Sequence, residues 1–354
     1  MKASIVGLPQ SGKSTVFTAA TGMAPAVGDT HRERLGMVRV PEPRLELLIR
    51  LDRPKKVTEA TFEFVDVPGF SLDDPHGRDE FRRHLPAVRQ SELLVLVVRD
   101  FEDETVPAYR DRVDRQADLT ELWDEFLFAD LETVSARVEK LEKALTKPTR
   151  THDQEKRELA LLTRCRDGLE NSEPLSSVIS TPEEARQVSS FGFLTEKPLV
   201  VVYNVSEDQA AEPAPDPPEH AVAAINLCAR SEAEIAQLDP EDRPAFLADL
   251  GLEAPACDRL ARTCFGALGL VVFLTHGADE VRAWPIPRGS TAVEAAGKIH
   301  SDLARGFIRA ETVAYADLEA AGDMRAAKAA GKVRQEGKTY VVQDGDILTI
   351  RFNV

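Results

Sequence analysis

The sequence predicts an α/β protein built on a parallel sheet, with a pair of long helices inserted into it and a small mixed α+β tail. Three patterns predict this. Over the first hundred residues, short and almost wholly apolar runs such as Ala3–Val6 and LLVLVV from Leu93 to Val98 alternate with helical patterns. Strands apolar on both faces must be covered on both faces, which is the situation of a parallel sheet between helices. From Leu127 through Leu131, Val134, Val138, Leu141 and Leu145, apolar residues recur at alternating steps of four and three, the spacing of a coiled-coil seam. Beyond Gly277 the texture changes again to strand, helix and strand.

The first strand runs straight into GLPQSGKST, residues Gly7 to Thr15, and a helical pattern with Val16, Phe17 and Ala20 follows. Gly7, Gly12, Lys13 and Ser14 meet the pattern G-x-x-x-x-G-K-[ST] in its required strand–loop–helix setting. Glycines let successive backbone N–H groups turn inward onto a polyphosphate, and the helix N-terminus adds its positive dipole end. Lys13 can reach the outer phosphates and Ser14 can ligate Mg²⁺. The loop is therefore read as a nucleoside-phosphate site rather than as a chance glycine-rich turn.

A polar stretch (Gly28 to Arg34) leads to the strand-like TFEFVDVPGF. There Asp66 ends the strand and can hold the water shell of Mg²⁺, while the Gly69 N–H can sense a terminal phosphate. The helical hairpin follows LLVLVV. Its first helix ends at the breaker TKPTRTHD and its second is QEKRELALLTRCRDGL. The leucine stripe reads as the core of the hairpin, with a partner-binding tip as the alternative. A strand returns at Pro198–Val205, the proline-rich EDQAAEPAPDPPEH reads as a surface loop, HAVAAINLCA as another strand, and Glu232 to Leu270 as mostly helical. In the tail, VRAWPIP reads as a strand, TAVEAAGKIHSDLARGF as a helix and YVVQDGDILTIRF as a hairpin turning on Asp344-Gly345.

The second candidate piece of the nucleotide site is YNVSED. A G-protein reads guanine with N-K-x-D, because a carboxylate accepts hydrogen bonds from the guanine N1–H and 2-amino group. Here Asn204 is present, but Val205 replaces the lysine and Glu207 the aspartate. These residues weaken the argument for guanine, and a turn-favouring asparagine beside an exposed glutamate explains them as well.

Composition bounds the partners. With 354 residues, 43 % hydrophobic and 29 % charged, the chain reads as a soluble protein of two or three domains. No apolar stretch approaches the ~20 residues of a membrane span, and MKASIVGL lacks a signal-peptide layout, so a cytoplasmic location and no membrane partner are expected. Four cysteines without a C-x-x-C pair suit free thiols in a reducing compartment, and none of the seven histidines reads as a metal ligand. The net charge of −16 argues against a broad polyanion-binding surface. From His276 to Val354, however, eleven Lys/Arg balance eleven Asp/Glu, so this tail is the better candidate for facing RNA. Lys298, His300, Arg305 and Arg309 lie at helix-compatible spacings there, which suits either a solvated face or an RNA contact.

Taken together, GLPQSGKST, EFVDVPG, VVRDFED, YNVSED, EVRAWPIPRGSTAVEAAGKIHSDLARGFIRAE and YVVQDGDILTIRFNV closely resemble the YchF/Obg-like ATPase family of P-loop NTPases. The resemblance covers nearly the whole chain. It implies a nucleotide-binding G domain (residues 1–108 and 197–275), an inserted helical coiled-coil hairpin (109–196) and a C-terminal TGS-like β-grasp domain (276–354). It also implies an ATPase that binds ATP and ADP with Mg²⁺, prefers ATP with GTP as the alternative, and associates with ribosomes through the TGS-like domain and the hairpin. Carried over residue by residue, Gln10, Ser11, Gly12, Lys13, Ser14 and Thr15 would wrap the phosphates; Asn204, Val205 and Glu207 would meet the base; Ser14 and Thr30 would ligate Mg²⁺; Lys13, Asp66 and Gly69 would act in hydrolysis.

This chain departs from the family around the terminal phosphate. The family's stretch before its switch threonine is aromatic and proline-bearing, but here it is VGDTHRERLG. A lysine- and glycine-rich segment after D-x-x-G is replaced by FSLDDPHGRDEF. Phe70 keeps the family's apolar residue where a Ras-like protein places its water-orienting glutamine, whereas the position of the family's histidine after FED falls at Ala108. Slow hydrolysis is expected, with a catalytically impaired nucleotide-binding ribosome module as the alternative.

Overall fold

A computed structural model describes residues 1–23, 32–73, 75–146, 152–239 and 241–353. Its strands are β1 (Lys2–Val6), β2 (Arg34–Val40), β3 (Lys56–Thr58), β4 (Ala60–Asp66), β5 (Leu93–Asp100), β6 (Leu199–Val205), β7 (Ala223–Leu227), β8 (Leu270–Thr275), β9 (Glu280–Pro287), β10 (Phe307–Ala314), β11 (Arg334–Glu336) and β12 (Asp346–Phe352). One six-stranded sheet has the order β2-β4-β1-β5-β6-β7, in which β1 pairs parallel with β4 and β5, β5 with β6, and β6 with β7. The apolar runs that predicted it are buried throughout: every residue of β6 is buried, and β5 is buried from Leu93 to Arg99.

Five helices matter below: α1 (Lys13–Thr21), α2 (Leu45–Asp52), α3 (Pro75–Gln90), α4 (Arg115–Ala144) and α5 (His152–Glu170). The last two are the inserted hairpin between β5 and β6; its breaker TKPTRTHD lies largely outside the described residues. Val134, Val138 and Leu141 of α4 pack with Leu161, Leu162 and Cys165 of α5, so the stripe is hairpin core. Arg137 grips Glu158 across the pair through two hydrogen bonds, at 2.7 and 2.9 Å. Asp130, fully buried on α4, accepts the backbone N–H groups of Leu194 and Thr195 at 3.1 and 2.8 Å and faces Arg89 of α3 at 3.1 Å. A buried carboxylate is tolerable because donors converge on it, and here they fasten α4 to the chain entering β6.

The second sheet has the order β11-β10-β12-β8-β9-β3. β12 lies antiparallel to β10 and parallel to β8, and β3 lies parallel to β9. Helices Ala292–Ile299 and Ser301–Arg305 follow β9, and Ala292, Ala295 and Ala296 pack with Phe273, Trp284 and Leu348 in the core of this sheet. The expected single helix is thus broken at His300, whose extended backbone (φ −163°) caps the second piece.

The expected hairpin on Asp344-Gly345 is corrected. The turn is there, with Gly345 at φ +83°, but the residues before it contribute only an isolated bridge from Val341 to Thr291. β12 takes its partners from β10 and β8 instead, because Asp344 turns the chain by accepting the Val272 N–H at 2.8 Å while its carboxylate pairs with Arg44 at 2.7 Å.

Contacts divide the chain into two compact units, residues 1–37 with 63–260, and residues 38–62 with 261–354. This cut differs from the one expected from sequence. Residues 38–62 join the second unit because β3 pairs with β9, β8 belongs to the second sheet, and the hairpin falls within the first unit.

Candidate nucleotide-binding site

Between β1 and α1 the chain turns on two residues with left-handed backbone, Gln10 (φ +60°) and Gly12 (φ +89°). Gly12 is the N-cap of α1 and supplies no side-chain cap, so the first N–H groups of that helix stay available to an anion. The loop also runs close to β5: a side chain at Gly7 would collide with the Val97 carbonyl oxygen. Lys13 is 6 % exposed, and burial pulls its ammonium down to about 8 against the opposing attraction of Asp66. Ser11 is buried, and its Oγ has no hydrogen-bond partner among the described residues; Ser14 and Thr15 are exposed on the first turn of α1.

Asp66, at the end of β4 beside β1, is 4 % exposed. Gly69 lies so close to Lys13 that a Cβ there would overlap the ammonium. The loop lysine and the D-x-x-G turn are therefore brought together as expected. Thr30 lies outside the described residues. Phe70 is 1 % exposed and stacks on Phe81 of α3 at 4.1 Å, so its side chain points into the core and offers no amide to a water beside Gly69.

On the other side of the loop, Asn204 at the end of β6 is buried and makes two bonds within the protein. Its Nδ2 donates to the Ser11 carbonyl oxygen at 3.0 Å, and its Oδ1 accepts the Ala229 N–H at 2.9 Å. Beside it opens a cavity of about 930 Å³, lined by Gln10, Gly12, Phe101, Val205, Glu207 and Arg230 among others. Glu207 is exposed and accepts the Ser231 hydroxyl at 2.9 Å. The phosphate loop and the N-V-S-E turn are thus two walls of one cavity.

Three residues of the site escaped the sequence reading. Arg99 crosses the end of β5 to hold the carbonyl oxygens of Phe101, Val106 and Pro107, at 3.1, 2.9 and 3.3 Å, and lies over the Phe101 ring at 4.3 Å. It shapes the segment that contains Ala108. Ser231 steadies Glu207. Arg34, the first residue of β2, donates to Asp66 Oδ2 from Nη2 at 2.6 Å and from Nε at 3.1 Å. Nothing in a lone serine or arginine marks these roles, which depend on how the chain folds around each residue.

The residues that would hold Mg²⁺ fit that ion. Asp66 Oδ1 is buried with no hydrogen-bond partner among the described residues, and Ser14 presents its hydroxyl from the first turn of α1. A carboxylate and a hydroxyl are hard oxygen ligands of the kind Mg²⁺ takes together with phosphates. Among the described residues there is no group of three or more His, Cys, Asp or Glu suited to a metal, and the four cysteines are free and buried.

A phosphate loop between the first strand and first helix of a parallel sheet, with a strand-end Asp and D-x-x-G turn beside it, defines a P-loop NTPase domain. Family comparisons agree. A model described as 50S ribosome-binding GTPase matches residues 2–135, and one for the C-terminal part of YchF GTPases, described only as a protein of unknown function, matches residues 270–353. The chain is 39 % identical to the ribosome-binding ATPase YchF of Bacillus subtilis, covering 100 % of both chains. It is 37 % identical to the protein of that name from Escherichia coli O157:H7, covering 100 % of this chain and 99 % of that one. The solved YchF GTPase of Schizosaccharomyces pombe superposes with a TM-score of 0.84 at 28 % identity, covering 99 % of this chain and 97 % of that one. The chain belongs to the YchF family.

Proposed function

We propose that this protein binds ATP with Mg²⁺, hydrolyses it slowly and associates with ribosomes in the cytoplasm. The observation that carries the reading is the single cavity walled by the phosphate loop and the N-V-S-E turn, with Asn204 fastening one wall to the other. Residues 10–15 would cradle the phosphates with their N–H groups, and Lys13 would neutralise charge on the outer ones. Ser14 would ligate Mg²⁺, joined by Thr30 on the family resemblance, and Asp66 would hold its water shell. Gly69 would present its N–H to the terminal phosphate. Magnesium would supply charge neutralisation at the bridging and terminal oxygens. Slow turnover follows from Phe70, which is turned inward, and from Ala108, which has no group to offer a water.

Base preference is the less constrained part. The bacterial relatives are named ATPases, while the Schizosaccharomyces pombe relative is named a GTPase. Glu207 keeps one carboxylate oxygen beyond its bond from Ser231, and the exposed Arg230 stands nearby. The TGS-like β-grasp character of the tail and the separate role of the hairpin, residues 109–196, as ribosome-facing parts belong to the same reading, as do Lys298, His300, Arg305 and Arg309 as RNA contacts. No helix among the described residues is long and apolar enough to cross a membrane.

The test is binding of ATP, GTP and ADP with Mg²⁺, with phosphate release followed in the same samples and Lys13→Ala as control. ATP-preferring binding with release above the control supports the hydrolase. Tight binding without release supports the second reading, a nucleotide-gated ribosome-binding module, which Phe70 and Ala108 favour. Co-sedimentation with ribosomes, run with and without nucleotide across a salt series, checks the partner; RNA contacts should make it steeply salt-dependent.

A further inference from the structure

Arg34 makes the shortest contact in the candidate site. Its guanidinium gives Asp66 Oδ2 two hydrogen bonds, at 2.6 and 3.1 Å, reaches the Ser14 carbonyl oxygen at 3.4 Å and lies 4.7 Å over the Phe17 ring. It is largely buried, with 13 % of its side chain exposed against 6 % for Asp66. The cation therefore spans the two elements, the end of β4 and the first turn of α1, that the proposed function assigns to Mg²⁺. Lys13 is attracted to the same carboxylate.

A buried charged carboxylate is costly unless hydrogen bonds or a cation compensate it. In a site where magnesium alone did this, Asp66 would stand uncompensated whenever the metal was gone, close to where phosphate charge arrives. We infer that Arg34 is a resident cation that does the charge work of Mg²⁺ on Asp66, so that nucleotide affinity in this protein depends only weakly on magnesium. Arginine suits the task because its planar fork can hold a carboxylate and a carbonyl at once, which a lysine point charge cannot. Among the described residues Asp66 Oδ1 has no partner, so the carboxylate can still receive a metal-bound water while Oδ2 keeps the guanidinium. Arg34 begins β2, directly after the segment that carries the charged replacement HRE, so the device belongs to the stretch in which this chain departs from its family.

The inference rests on the nucleotide reading above, and the experiment separates the two. ADP and ATP affinities are measured by calorimetry in excess Mg²⁺ and in EDTA, for the wild type, Arg34→Gln and Arg34→Lys. The wild-type affinities should differ less than about threefold between the two conditions, and those of Arg34→Gln more than about tenfold, as expected when a close charge pair is broken. Arg34→Lys should fold even if Arg34→Gln does not, and should fall between them. By linkage, Mn²⁺ titrated onto the ADP complex and followed by electron paramagnetic resonance should bind more tightly in both variants than in the wild type. The same Mg²⁺ ratio and Mn²⁺ affinity in wild type and variants overturn the inference while leaving the nucleotide site standing. Absence of nucleotide binding in both conditions overturns the inference and the proposed function together.

Discussion

The amide of Asn204 is a clamp on Ser11: its Nδ2 donates to the Ser11 carbonyl oxygen at 3.0 Å while its Oδ1 takes the Ala229 N–H at 2.9 Å. One buried side chain thereby fixes the phosphate loop to β6 and to the start of the helix Ala229–Gln237. Gly12 must be glycine partly for this reason, since a Cβ there would overlap Asn204 Nδ2. Asn204→Asp should turn the bond to Ser11 into an oxygen–oxygen repulsion. An unmade buried hydrogen bond costs about 1–3 kcal/mol, so ATP affinity should fall by roughly 10- to 100-fold. Calorimetric titration checks this, and an unchanged affinity would show that the loop holds its shape without the clamp.

The contact between Gly69 and Lys13 gives a more selective test. Gly69 has no left-handed φ among the positions that require glycine, so alanine is acceptable to the backbone. Its methyl would meet the far end of a flexible lysine side chain. Gly69→Ala should thus leave the midpoint of thermal unfolding within about 2 °C, as for substitutions without a cavity or lost bond. It should still weaken ATP binding by about tenfold, by pushing the ammonium off the phosphates. Equal losses of stability and affinity would mean that the turn itself had been disrupted.

What the sequence made legible follows from distance along the chain. The loop, the D-x-x-G turn and the strands β1, β4, β5 and β6 are local patterns in which one residue type at one spacing has few structural meanings. The hairpin was legible for the same reason, its stripe being periodic over many turns. Arg34 on Asp66, Arg99 on the carbonyls before Ala108, and Ser231 on Glu207 are pairings whose partners lie elsewhere in the fold or are backbone atoms. The hairpin expected at Asp344-Gly345 failed differently. The dipeptide does turn, but Arg44 and the Val272 N–H, both distant in sequence, decide where the chain goes next. β3 joined the second sheet by the same kind of remote pairing, with β9.

Tyr109 shows how firmly the segment at Ala108 is held. Its hydroxyl oxygen accepts the buried Leu72 N–H at 3.2 Å, and its O–H points to Glu121 of α4 at 3.4 Å. Next to it, Arg110 pairs with both Asp73 and Glu121. Tyr109→Phe should leave the Leu72 N–H without its acceptor and lower stability by about 1–3 kcal/mol. Urea unfolding checks the loss. Faster proteolysis after residue 70 at unchanged global stability would instead place the effect in local opening.

Asp118 on α4 supplies the pH dependence. It is 5 % exposed, and burial, reinforced by Glu121 and Asp114, pushes its carboxyl up to about 6 against the pull of Arg112 and Arg110. Arg112 Nη2 lies 3.6 Å from Asp118 Oδ1, which has no hydrogen bond among the described residues. Because its folded value lies above the ordinary aspartate value near 4, the folded protein binds more protons than the unfolded chain between those limits. The contribution of this group to stability therefore rises as pH falls through 6 and is unfavourable above it. Asp118→Asn removes the buried charge, so at about pH 7.5 the variant should be more stable than the wild type, on the order of 1–2 kcal/mol. Toward pH 5 the wild-type carboxyl takes up its proton and the two should converge. Urea denaturation at both pH values checks the difference between them, which cancels the pH effects common to both proteins. A gap that stays constant with pH would mean that Asp118 keeps its charge through Arg112 across the whole range.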